Sequence, residues 1–194
     1  MILYTIIILT NSVYSLASLF LPSVYKDKAV AGVWVGLVFS MYSISVVLVS
    51  PIVGKVVSRT GFANLIAIGL VLMGISIIPV GFLPDIESEN ASIALGIFLR
   101  ALQGTASAAI NATCFSLAAN KYANQVTFMV GLLEAMSGIG LVIGLVGGSI
   151  VYDVMGYKSV FILFGSMLPI MALVTRVLFF RIERQERLDT EISR

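Results

Sequence analysis

The stretch VTFMVGLLEAMSGIGLVIGLVGGSIVY, residues 126–152, holds one charged side chain, Glu134, among mostly aliphatic residues, small residues and glycines. A helix rises about 1.5 Å per residue, so this run is long enough to cross a hydrocarbon core about 30 Å thick. Five similar runs surround it: Met1–Leu21, Val33–Val57, Ala63–Leu83, Ile93–Ala119 and Ser159–Phe180. Short polar connections separate them, as is required wherever backbone leaves lipid. The pattern predicts an all-α integral membrane protein, with six transmembrane helices over residues 1–180 and a short charged tail over 181–194. The first run reads as a true span and not as a cleaved signal. It has no basic start, carries Asn11 and Ser12, and ends at Pro22 without a small-residue cleavage site.

Composition supports the same class. Hydrophobic residues make up 59% of the 194 and charged residues 11%, with a mean hydropathy of +1.05. A water-soluble domain carries roughly a quarter charged residues, so most of this surface is built for the lipid bilayer. That excludes a soluble enzyme. The sequence has no histidine and a single cysteine, Cys114, so no metal cluster, disulfide framework or histidine-based relay is expected. No cofactor motif and no catalytic constellation appear. The basic residues are scattered and the net charge is +2, which points away from nucleic acid.

Short loops that stay in the cytoplasm are enriched in Lys and Arg. With a cytoplasmic N-terminus, the inner segments hold Lys55, Arg59, Lys121, Arg181, Arg184, Arg187 and Arg194. The outer loops hold Lys26, Lys28 and Lys158. Seven against three predicts both termini on the cytoplasmic side. The connection carrying Asp85, Glu87 and Glu89 has no basic residue and falls outside. Arg176 lies near the inner end of its span, where its side chain can reach the interface.

Two ionisable groups stand deeper, Arg100 in the fourth span and Glu134 in the fifth. Each costs at least about 2.5 kcal/mol at the bilayer centre. Arg100 lies about 12 Å below the outer end of its span and Glu134 about 13 Å above the inner end of its own. The two are thus expected at similar depth, paired with each other or with polar groups such as Gln103 and Asn111. Such a pair either fixes helix register or lines a cavity that takes substrate or protons. In the fourth span Arg100, Gln103 and Gly104 share one side and precede the small run Thr105–Ala109. In the fifth, Gly131, Gly140, Gly144 and Gly148 recur at helical spacing, which in lipid lets backbones approach closely.

These motifs carry a resemblance. Arg100–Gly104 resembles the fourth-helix arginine motif of major facilitator superfamily transporters, and the glycine series resembles their fifth-helix antiporter motif. The loop from Gly54 through Arg59 to Gly61 resembles their inner-loop signature. Gly131–Glu134, continued by Tyr152-Asp153 and Gly156-Tyr157, is most similar to the vesicular amine and polyamine transporter-like branch. The departures are Ser58 at an acidic loop position, Leu145 where proline is usual, Ser149 where a glycine is usual, and Asn11 where monoamine members carry a first-span acid.

The resemblance implies two inverted three-helix repeats, forming half of a major facilitator fold. Family members have about twelve spans in two halves with substrate between them, and this chain corresponds to the N-terminal half. Its tail, with Glu183/Arg187 and Arg187/Glu191 at helical spacing, resembles the start of the inter-half linker. One implied function is the N-terminal half of an organic cation, amine or drug antiporter that does not transport alone. The other is a transport-dead half-transporter kept as a structural subunit of a larger complex. Both require a second membrane chain over the cavity face: a second copy, a C-terminal half, or unrelated subunits. The glycines of the fifth helix, together with Asn11, Gln103 and Asn111, are expected to face that partner or the cavity.

Overall fold

The computed structural model describes residues 2–28 and 30–192, with side chains through Phe179 except that of Ser58. Its elements are α1 (Ile2–Asp27), α2 (Gly32–Thr60), α3 (Phe62–Ile77), α4 (Glu89–Lys121), α5 (Val126–Met155) and α6 (Tyr157–Ile192). A 3₁₀ stretch, Ile78–Asp85, extends α3, and a shorter one, Ala123–Gln125, precedes α5. Six of these segments are long and apolar enough to cross a membrane, and no strand occurs among the described residues. The fold is all-α, a bundle of six membrane-length helices.

Packing reveals the internal repeat. α2 lies along α4, α5 lies along α1, and α3 packs against α6. Exchanging the first three helices with the last three maps the first contact onto the second and the third onto itself. Related helices stand three places apart in chain order, so the two copies run in opposite directions. The turns repeat as well. Gly61 joins α2 to α3 with φ 79° and ψ 153°, and Gly156 joins α5 to α6 with φ 81° and ψ 175°. Only glycine adopts that backbone region readily. Each donates its N–H four residues back, Gly61 to Val57 at 3.0 Å and Gly156 to Tyr152 at 2.9 Å. An aromatic residue follows each, Phe62 and Tyr157.

The core runs through α1, α3, α4 and α6, where Leu16, Tyr25, Ile66, Leu70, Met73 and Phe161 are buried. α2 and α5 are different. Only 6% of the most apolar stretch of α2 and 17% of that of α5 is buried, against 61% for α3 and for α4. Phe20 stacks on Tyr152 at 5.2 Å and helps hold α5 to α1.

Two expectations are corrected here. α1 continues through Pro22 to Asp27. Proline removes one helical hydrogen bond, but the turn beyond it is anchored by buried Val24 and by Tyr25, whose hydroxyl donates to Ser92 O on α4 at 3.2 Å. Second, Gly140, Gly144 and Gly148 of α5 face α1 within this bundle and not a partner chain. A Cβ on Gly140 would come within 2.5 Å of Ile8 O, and those on Gly144 and Gly148 would collide with Ser12, Ser15 and Leu16, all on α1. Ser12 Oγ donates to Gly140 O at 2.8 Å across this contact. Gly131 stands apart, exposed in open space, and packs on nothing. α6 runs on past residue 180 to Ile192. The Glu183/Arg187 and Arg187/Glu191 pairs lie outside the described side chains.

Candidate functional site

α4 carries Arg100, Gln103, Ser107 and Asn111 at intervals of three, four and four, a spacing that gives one stripe along a helix. Gly104 brings α2 onto α4 beside this stripe. A Cβ there would strike the carbonyl of Tyr42 and the side chain of Ser45. That close approach delivers Phe39 and Tyr42, one turn apart on α2, to the arginine. Tyr14 arrives from α1, its ring 4.6 Å from that of Tyr42.

Arg100 is 1% exposed. Its guanidinium carbon lies 4.7 Å from the ring centre of Phe39, 5.9 Å from Tyr42 and 6.0 Å from Tyr14. Aromatic faces attract cations within about 6 Å and contribute up to about 2 kcal/mol when desolvated. One Nη donates to Gln103 Oε1 at 3.4 Å, and Gln103 is held in turn by Ser76 O on α3 at 3.2 Å. Nε and the other Nη meet no acceptor among the described residues. An unmet buried donor costs about 1–3 kcal/mol, and more when charged. The rings and the glutamine therefore leave a permanent charge only partly compensated.

Glu134 does not compensate it. Of the two expected arrangements, Arg100 takes the polar partner Gln103 and not Glu134, which is exposed on α5 and forms no ion pair with it. Similar depth does not set rotation. α4 packs along α2 and α3 while α5 packs along α1. At this level of α5 the buried residue is Leu133, and Glu134 stands about 100° around the helix from it.

The other polar candidates divide between two contacts. Asn111 Nδ2 donates to Ser107 Oγ at 2.9 Å, and Tyr42 OH donates to the same oxygen at 2.7 Å. Asn11 is part of the α1–α5 contact, donating to Ile7 O at 2.9 Å and to Ser137 Oγ at 3.4 Å. Arg100, Gln103 and Asn111 thus fall in one stripe, while Asn11 and Glu134 stand apart from it. In the loop motif, Gly54 is exposed in open space, Gly61 forms the left-handed turn, and Arg59 is exposed. Sequence reasoning missed Tyr14, Phe39 and Tyr42. A signal existed for the two tyrosines: they sit inside spans, whereas tyrosine favours membrane interfaces.

A membrane bundle of inverted three-helix repeats, with a buried arginine stripe on its fourth helix, defines a transporter-type half-bundle. The family profile of the Major Facilitator Superfamily matches residues 2–194, and the chain belongs to that superfamily. It is similar to the MFS-type transporter SLC18B1 of Homo sapiens, with 26% identity over 158 residues, 81% of this chain and 35% of the relative. The Mus musculus and Rattus norvegicus proteins of the same name are each 27% identical over 158 residues, covering 34% and 35% of their lengths. The chain spans about a third of the length of the curated relatives it matches. It is a multi-pass integral membrane protein.

Proposed function

We propose that this chain forms the N-terminal six-helix half of an organic-cation antiporter, completed by a second membrane element across the open faces of α2 and α5. The observation that carries this reading is the Arg100 site, a buried guanidinium walled by Tyr14, Phe39 and Tyr42 with two donors unmet. Arginine does not release its proton in proteins, so it acts as a fixed charge that calls for an anion from the completing half. The tyrosine faces offer cation–π contact to an amine. Glu134, about two turns inside α5, is the carboxylate suited to exchange. It is neutralised either by the ammonium group of the substrate or by a proton, and competition between the two couples their movement. A charge at that depth persists when it faces a cavity or a partner. The proposal takes both termini as cytoplasmic, supported by the Lys/Arg bias of the loops.

The test is uptake of a radiolabelled amine into proteoliposomes carrying the protein with its native membrane partner, under an imposed pH gradient. Wild type is expected to exchange amine for protons. Glu134→Gln is expected to lose the dependence on the gradient, and Arg100→Met to lose uptake. Gradient-driven uptake that survives Glu134→Gln overturns the antiport assignment. No uptake by the wild-type assembly favours the structural-subunit reading.

A further inference from the structure

On the outside of the bundle, between α3 and α6, a groove of about 800 Å³ opens at the end where Gly61 turns. Its walls are aliphatic, with Ile68, Leu72 and Leu173 among them, and Arg59, Asn64 and Arg176 belong to its mouth. Asn64 is held in orientation. Its Nδ2 donates to Thr60 O at 3.0 Å, which turns Oδ1 toward α6, where it accepts from Arg176 Nη2 at 3.0 Å. Arg176 therefore does more than reach the interface; it is pinned across the helix pair. No carboxylate occurs among the described lining residues, so among them two like charges share one opening without a counter-ion.

The dimensions and the chemistry identify the occupant. From Asn64 to Ile75 the groove follows α3 for about 16 Å, close to one leaflet of a hydrocarbon core about 30 Å thick. Ile68 is 57% exposed and Leu173 is 66% exposed, so the aliphatic walls face outward. A free inorganic anion leaves the apolar length unused, and a neutral chain leaves both arginines unused. A zwitterionic headgroup brings a cation of its own to a doubly positive mouth. We propose that this groove is a site for an anionic phospholipid, with the phosphate on Arg59 and Arg176 and one acyl chain along Ile68, Leu72 and Leu173. The assignment is independent of the transport reading, since it uses none of the residues around Arg100. A basic residue beside an anionic lipid surface contributes about 1 kcal/mol, or about fivefold in affinity.

Native mass spectrometry of the full chain in mild detergent, titrated with phosphatidylglycerol or phosphatidylcholine, tests the proposal. One phosphatidylglycerol is expected to be retained at least about tenfold more tightly than phosphatidylcholine. The double variant Arg59→Gln/Arg176→Gln should weaken it about 25-fold, and Arg59→Lys/Arg176→Lys should keep most of the affinity. Ile68→Trp fills the aliphatic part with both arginines in place and should also weaken retention. It supplies the answer if the double variant does not fold. Lys26→Gln, at the opposite face, should change nothing. Equal retention of the two lipids, or undiminished binding in both the double variant and Ile68→Trp, overturns the proposal. So does glycerol phosphate competing as well as the lipid, which means a phosphate site alone, or a dimer mass in place of bound lipid.

Discussion

Arg100 is the residue whose environment departs furthest from that of an ordinary membrane helix. It is buried among three rings with two donors unmet, so its charge is retained at a cost in stability. An apolar side chain of similar reach removes that cost and keeps the packing, in line with buried charges elsewhere. Arg100→Met is therefore expected to match or exceed wild type in thermal unfolding in mild detergent. Arg100→Ala, which also leaves a cavity, should fall at least about 2 kcal/mol below the methionine variant. Equal stability of the two sinks this account. Because Glu134 does not touch Arg100, Glu134→Gln should shift stability by less than about 0.5 kcal/mol. A loss of several kcal/mol in the same unfolding assay would restore the ion pair expected from depth alone. That expectation failed for a physical reason. Hydropathy fixes how deep a residue lies, whereas the direction it faces depends on which helices pack together.

At the level of elements, six hydrophobic runs were legible because each must hide its own backbone bonds from lipid. Their ends were less so. Pro22 reads as a stop in sequence, yet Tyr25 and Val24 hold the next turn in place. The glycine series of α5 was legible as a packing face, but its partner was not, since spacing cannot say whether the neighbour belongs to this bundle or to another chain. The structure divides the series, and substitution distinguishes its members. Gly144→Ala forces a methyl into Ser12 and Ser15 of α1 and should cost about 1–3 kcal/mol. Gly131→Ala meets open space and should be neutral or stabilising by up to about 1 kcal/mol. Comparable losses from both would mean that α1 is not the surface the stripe serves. The paired turns make a further prediction. Gly61→Ala and Gly156→Ala each force a side chain into a conformation reserved for glycine, so each should cost about 1–3 kcal/mol. Unfolding that shows one variant unaffected breaks the equivalence of the two repeats.

For the molecule as a whole, the least covered helices are α2 and α5, and the proposed partner is expected there. Val47 of α2 is 70% exposed in the isolated chain and Ile170 of α6 is 63% exposed. In native membranes, Val47→Cys should resist a lipid-soluble maleimide while Ile170→Cys reacts. Equal labelling of both puts α2 against lipid and ends the partner proposal. The superfamily was legible from three motifs in order, because each is compact in sequence. The aromatic wall of the arginine site was not, because Tyr14 and the pair Phe39 and Tyr42 come from two other helices and meet Arg100 only after folding.

The twin glycine turns at opposite faces have a consequence for biogenesis. A bundle that looks much the same when stood on its head gives the insertion machinery little reason, in shape alone, to prefer one way up. The choice falls to the few lysines and arginines near the helix ends. Removing Lys55 and Arg59 while adding two lysines beside Glu87 should leave the helices able to pack yet thread a fraction of the chains upside down. Protease protection of a tag in the α4–α5 connection would count them.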